Sequence, residues 1–125
     1  MSNIVYNEHE EAYELPYRLW DSDQIIRFYV QTEDDIMSNF SDVAQKLALV
    51  DGSRRRIAEL IVDEGYYEGS DADKLAIHLA IENIYMDIDE DGIVVCMVVD
   101  SFDGYLPAQL RIEIYEDDFE IIGRA

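Results

Sequence analysis

Ile93-Val94-Val95-Cys96-Met97-Val98-Val99 is an unbroken run of seven apolar residues. A run of this length, bounded by a turn signal, predicts a central strand buried on both faces. The turn signal is Asp91-Gly92, which marks a hairpin. Upstream of it the residues alternate. Ile84, Met86 and Ile88 point one way, and Tyr85, Asp87 and Asp89 the other, so residues 82–89 form the partner strand. Downstream, Leu110, Ile112 and Ile114 alternate with Gln109, Arg111 and Glu113, and Asp117-Asp118 turns into a last strand over residues 119–122.

The first half adds two strands and the helices. Residues 13–19 and 24–30 read as strands joined by Asp21-Ser22-Asp23, with Ile26, Phe28 and Val30 alternating with Ile25, Arg27 and Tyr29. The first dozen residues are polar and predict a loose segment. Thr32 starts a helix: Asp35 three residues on completes an Asp variant of the capping box, and Glu33 and Asp34 suit the positive end of the helix dipole. Ile36, Phe40, Val43, Ala44 and Leu47 make one apolar stripe, which Asp51-Gly52 ends. A second helix covers residues 53–64, with Ile57, Leu60 and Ile61 inward and Gly65 as its stop. Ser70 caps a third helix of about ten residues. Its core side carries Leu75, Ala76, Leu79 and Ala80, widened by Ile77 and Ile81, and its polar edge carries Lys74 and His78. The expected order is ββαααββββ. Residues 1–125 form one α+β domain, an antiparallel sheet with a layer of about three helices on one face.

The charge is far from ordinary. Nine Lys and Arg against 29 Asp and Glu leave a net charge of −20 over 125 residues. Small soluble domains usually carry a net charge of about 2–8 in magnitude. The excess opposes direct nucleic-acid binding, because phosphates are repelled, and favours a cationic partner. It is also uneven. Residues 1–62 hold 12 acids and 6 bases, a net of −6, while residues 63–125 hold 17 acids and 3 bases, a net of −14. Hydrophobic residues make up 49% of the chain, which supplies a core and argues against disorder.

Catalytic signatures are lacking in the sequence. There is no GxSxG, HExxH, CxxC or phosphate-binding glycine loop. His9 and His78 have no nucleophile or metal partner at a telling spacing. Paired carboxylates among so many acids carry no information about glycoside chemistry. Asp87-Ile88-Asp89-Glu90-Asp91-Gly92 opens like a calcium loop, but position 12 is Val98 and the flanks are strands, so the segment reads as an acidic hairpin turn. No cofactor and no metal is expected, and no enzyme. Cys96 lies in the apolar run and reads as a small buried hydrophobe. With one cysteine, no signal peptide and no span of 18 apolar residues, a reducing, cytoplasmic setting away from membranes is the expectation. Arg54-Arg55-Arg56, the only basic cluster, is too small for a nucleic-acid patch against −20. At a helix N-terminus it should seek carboxylates of the same domain.

Residues 54–125 resemble a group of small acidic bacterial domains that includes immunity proteins of contact-dependent inhibition and related polymorphic toxin systems. The likeness is carried by Arg55-Arg56-Ile57-Ala58-Glu59-Leu60, by Ile84-Tyr85-Met86-Asp87-Ile88-Asp89-Glu90-Asp91-Gly92, and by residues 112–122. It implies a stoichiometric inhibitor of a cognate bacterial toxin, many such toxins being nucleases or other enzymes with basic grooves. The alternative is an acidic intracellular module, or polyanion mimic, that binds a cationic protein with no toxin involved. Either way the expected binding residues lie in the acidic half: Asp87, Asp89, Glu90, Asp91, Asp103, Glu113, Glu116 and Asp117, with Tyr85, Tyr105 and Tyr115 as anchors. A shared surface requires that the outward faces of the two strands carrying Tyr85 and Tyr115 meet on one sheet.

Overall fold

The computed structural model describes residues 3–125. Among these residues, seven strands form one sheet in sequence order: β1 (Val5–Asn7), β2 (Ala12–Leu19), β3 (Ser22–Phe28), β4 (Leu79–Asp89), β5 (Gly92–Ser101), β6 (Leu110–Tyr115) and β7 (Asp118–Arg124). Four α-helices, α1 (Glu33–Met37), α2 (Phe40–Asp51), α3 (Arg54–Asp63) and α4 (Ala72–His78), all lie between β3 and β4. The class is α+β, as expected, but the sheet is mixed. β3 and β4 pair in parallel, with Ile26 beside Ile84 and Phe28 beside Met86, whereas every other pair is antiparallel. The helical segment is the cause. Hairpins reverse the chain, whereas a long crossover carries it back to the end of the sheet where β3 began.

The quoted run falls within β5, an interior strand between β4 and β6. Ile93, Val95, Met97 and Val99 are buried in a cluster with Ile26, Phe28, Ile84, Met86, Ile112 and Ile114 from neighbouring strands. Ile36, Val43, Leu47, Val50, Ile57, Ile61 and Leu75 of the helices fill the same cluster. The helices therefore cover one face. The expectation of burial on both faces is corrected: Val94 and Val98, on the far side of β5, are only half-buried.

Local departures have identifiable causes. The first expected helix is two, broken at Ser38 and Asn39. The Ser38 hydroxyl donates to the Asp34 carbonyl at 2.7 Å. Asn39 Nδ2 donates to the Asp35 carbonyl at 2.8 Å. The Asp34 carbonyl still accepts the Ser38 amide as well, whereas at Asn39 the side chain takes the i−4 carbonyl and the amide turns to the Ile36 carbonyl instead. Phe40 consequently leaves the stripe and is exposed. The Thr32–Asp35 capping box is present. α4 is shorter than expected and is capped by Asp71, not Ser70. Leu79 already has extended backbone and pairs with Ser101, so the apolar residues Leu79 and Ile81 belong to a strand. The polar N-terminus contributes β1, paired with β2 through Val5 and Glu14.

The β2–β3 turn is Trp20-Asp21, not Asp21-Ser22-Asp23. Both residues have positive φ, 52° and 60°, between the paired Leu19 and Ser22. Such a turn normally takes Gly or Asn. Here the indole compensates. It is buried, Nε1 donates to the Val50 carbonyl at 2.8 Å, and the Trp20 amide donates to Asp51 Oδ1 at 3.0 Å. The hairpin is thereby fastened to the C-terminus of α2.

Gly65 ends α3 as the sequence predicts. Its φ is +81°, its amide donates to the Val62 carbonyl, and the Tyr66 amide donates to the Ile61 carbonyl, which together form a Schellman motif. No atom lies within 4 Å of a Cβ placed there, so only backbone strain opposes a side chain. Gly65→Ala should lower unfolding free energy by about 1 kcal/mol, read as a shifted urea midpoint with unchanged slope.

Candidate partner-binding face

The face opposite the helices is built by strand register. Tyr85, Cys96 and Glu113 are direct cross-strand neighbours on β4, β5 and β6, and so are Asp87, Val94 and Tyr115. Arg27 on β3 continues the first row on one side and Glu120 on β7 on the other; Asp118 continues the second. A third row holds Asn83, Val98 and Arg111. The outward faces of the Tyr85 and Tyr115 strands thus meet on one surface, with β5 between them.

Aromatic groups and carboxylates interleave across these rows. Tyr29, just past β3, packs edge-on against Tyr85 with ring centroids 5.2 Å apart. The Tyr115 hydroxyl donates to the Glu113 carboxylate. That bond, with burial and the Glu113 charge, pushes the Tyr115 phenol up to about 12. The Tyr85 hydroxyl is bonded to the Cys96 thiol, and this bond, followed by burial, pushes Tyr85 up to about 12 as well. Burial raises the Asp87 carboxyl above its ordinary range, helped by the charges of Asp89 and Glu113. Cys96 is 6% exposed. Burial raises its thiol, and the bond from Tyr85 opposes that shift.

Arg27 is already engaged. Its Nε meets Glu14 at 3.0 Å and its Nη1 meets Asn83 Oδ1 at 3.2 Å. Beside it, Asn83, Tyr85, Cys96, Met97, Val98 and Arg111 line a dimple of about 70 Å³.

At one end of the sheet the face turns into a groove of about 1140 Å³ between α2 and the β4–β5 and β6–β7 turns. Asp42, Asp89, Asp91, Glu116, Asp117 and Asp118 line it, together with the basic residue Lys46. Lys46 Nζ donates to the Glu116 carbonyl, fastening α2 to the β6–β7 turn. Glu90 and Asp91 occupy the β4–β5 turn. The Asp91 amide donates to Asp89 Oδ1 at 2.8 Å, and Gly92 takes a φ of +126°. Among the described residues no group of three His, Cys, Asp or Glu side chains is placed to hold a metal ion.

Eight of the expected binding residues therefore gather on this face or at its groove end: Tyr85, Asp87, Asp89, Asp91, Glu113, Tyr115, Glu116 and Asp117. Glu90 stands in the adjoining β4–β5 turn. Asp103 and Tyr105 do not join them. They follow β5 at its far end. The length of that strand, at a rise of about 3.3 Å per residue, separates them by roughly 30 Å from the groove. There Tyr105 stacks on His78 with centroids 3.7 Å apart, and Asp103 holds a left-handed turn with φ 60°. Residues outside the expected set also lie on the face: Tyr29, Asn83, Arg111, Asp118 and Glu120. Tyr29 was legible as an outward residue, but its place beside Tyr85 depends on the parallel β3–β4 pairing.

The arginine cluster is used within the fold. Arg55 pairs with Glu59 and Asp73, as a like-charged helix start should. Arg54 instead donates to the carbonyls of Ile77 and Leu79 at 2.9 and 2.8 Å, at the negative end of α4. Arg56 donates to the Asp117 carbonyl and lies 4.2 Å over the Phe119 ring.

In comparisons with known proteins, no family model, no curated protein and no solved structure matches this chain.

The two raised phenols are directly measurable. In a spectrophotometric titration two tyrosines should ionise near pH 12, and Tyr85→Phe and Tyr115→Phe should each remove one. A phenol whose folded pKa is raised contributes stability that is complete below its unfolded value, about 10, and fades as pH rises through 12. Alkaline unfolding of Tyr85→Phe should therefore be less steep over that window.

Proposed function

We propose that this chain is a binding inhibitor, an immunity protein that neutralises a basic bacterial toxin domain, such as a nuclease, by covering its active site. The observation that carries the reading is the cross-strand assembly of Tyr85, Asp87, Glu113 and Tyr115 on the sheet face left free by the helices. Their carboxylates match a groove made to hold phosphates, and the tyrosine rings supply buried area with a polar tip. The resemblance of residues 54–125 to immunity proteins supports the same reading, as does the net charge of −20. Inhibition by occupancy requires no chemistry of its own. In keeping with that, His78 is stacked on Tyr105 and Cys96 is held under Tyr85 rather than either being aimed into the acidic groove.

Two parts of the face have different jobs. Exposed carboxylates act at long range and set the rate of encounter, while desolvated contacts set residence time. The test uses the basic protein encoded beside this chain in its native genome, mixed with purified wild type and variants. Asp87→Lys with Asp89→Lys should slow association and weaken its salt dependence, and Tyr85→Ala should speed dissociation. Unchanged kinetics in both variants would place the interface elsewhere.

Acidity gives a further readout. The Asp87 carboxyl sits above its ordinary range, and a docked cation favours its ionised form. Affinity for the basic protein should therefore rise as pH climbs through that titration and fall on acidification. In Asp87→Asn the pH dependence should flatten.

A further inference from the structure

A sheet with one wet face normally alternates apolar inward and polar outward. β4 and β6 obey this pattern: their outward residues are Asn83, Tyr85 and Asp87, and Arg111, Glu113 and Tyr115. β5 does not. Its outward residues are Val94, Cys96 and Val98, so an apolar stripe runs down the middle of the uncovered face. Ile25 on β3 extends the apolar area beside Asn83 and is 42% exposed. The dimple between Tyr85, Asn83 and Arg111 opens onto this stripe, with Cys96, Met97 and Val98 beneath.

We propose that this stripe is the anchor of the interface, and that the dimple receives a short aliphatic side chain projecting from a basic protein surface. The inference rests on the reading above in needing a cationic partner, but not in needing a toxin. The dimple holds about 70 Å³. One water needs about 10–15 Å³ of such space, so the dimple takes roughly five water-sized groups, enough for the four carbons of a leucine side chain and too few for the nine atoms of an indole. Charge selects the surface that brings it. Asp87 and Glu113 flank the stripe and Glu120 and Asp118 lie one strand further out, while of the two bases near it Arg27 is paired with Glu14 and Arg111 stands at the dimple, so acids outnumber bases around it. A second copy of this chain would bring another −20 against that rim, and an RNA or an anionic membrane would meet the same repulsion.

The probes are lysine-rich synthetic peptides of matched length and charge whose central residue is Leu, Ala or Trp. They are titrated onto the full chain by fluorescence anisotropy at low and physiological salt. Cys96, 6% exposed at the centre of the stripe, alkylates slowly in the free chain, and further slowing reports coverage. The Leu peptide should bind about tenfold tighter than the Ala peptide, from burial of one aliphatic side chain, and should slow alkylation of Cys96. The Trp peptide should gain less than the Leu peptide. Val98→Phe, which fills the dimple from its wall, should erase the Leu peptide's gain over the Ala peptide. Should that variant not fold, Tyr85→Ala, which widens the dimple, should move the preference from Leu to Trp.

Equal affinity for the Leu and Ala peptides, or no protection of Cys96, would overturn the anchor while leaving the cationic-partner reading intact. Failure of every peptide to bind at low salt would overturn both. Self-association of the chain in sedimentation, lost in Val98→Phe, would assign the stripe to a second copy and overturn the proposal.

Discussion

One helical crossover cannot cover both faces of a seven-stranded sheet. All four helices lie in the connection between β3 and β4, and that connection passes over a single face. Much of the rest depends on this. The crossover makes β3 and β4 parallel, which sets Arg27 beside Tyr85 and brings Tyr29 within reach of it. The hairpins that follow keep β4, β5, β6 and β7 in unbroken antiparallel order, so their outward residues form rows. The uncovered face is where the chain's aromatic and acidic residues are free to act.

Positive charge is scarce in this protein, and much of it is used to hold the helical layer in place. Arg54 and Arg55 join α3 to α4 and to the start of β4. Arg56 and Lys46 tie α3 and α2 to the β6–β7 turn through the carbonyls of Asp117 and Glu116. Arg27 crosses from β3 to Glu14 and Asn83 on the two flanking strands. These bonds place cations on carbonyls as often as on carboxylates. The surplus of acids therefore stays at the surface, concentrated in the groove between α2 and two hairpin turns. The result is a domain in which internal contacts engage most of the arginines and whose exterior field is predominantly negative, which suits long-range attraction of a basic protein.

Much of the secondary structure was legible because its signals are local. The capping box at Thr32 and Asp35, the Gly65 stop and the alternation of residues 84–89 each involve neighbours a few positions apart. The failures were also local in appearance and tertiary in cause. Leu79 and Ile81 fit a helical stripe as well as a strand, and pairing with Ser101 and Val99 decided the matter. Trp20 has no intrinsic preference for a tight turn; contacts with Val50 and Asp51, some thirty residues away, hold it there.

By itself the sequence determined the α+β class, the interior position of the strand holding residues 93–99, the burial of Cys96 and the outward direction of Tyr85, Asp87, Glu113 and Tyr115. Period-two patterning and apolar runs are enough for these, because side-chain direction in a strand follows from residue number alone. Only the tertiary structure decided which outward residues are neighbours, and that one face of β5 has no helical layer over it. It also placed Asp103 and Tyr105 at the far end of the sheet. Sequence spacing does not encode those outcomes, because strand order and the path of the crossover are settled by how the helices find a common core. The run of seven apolar residues announced a strand wanting cover on both sides; the fold supplies cover on one.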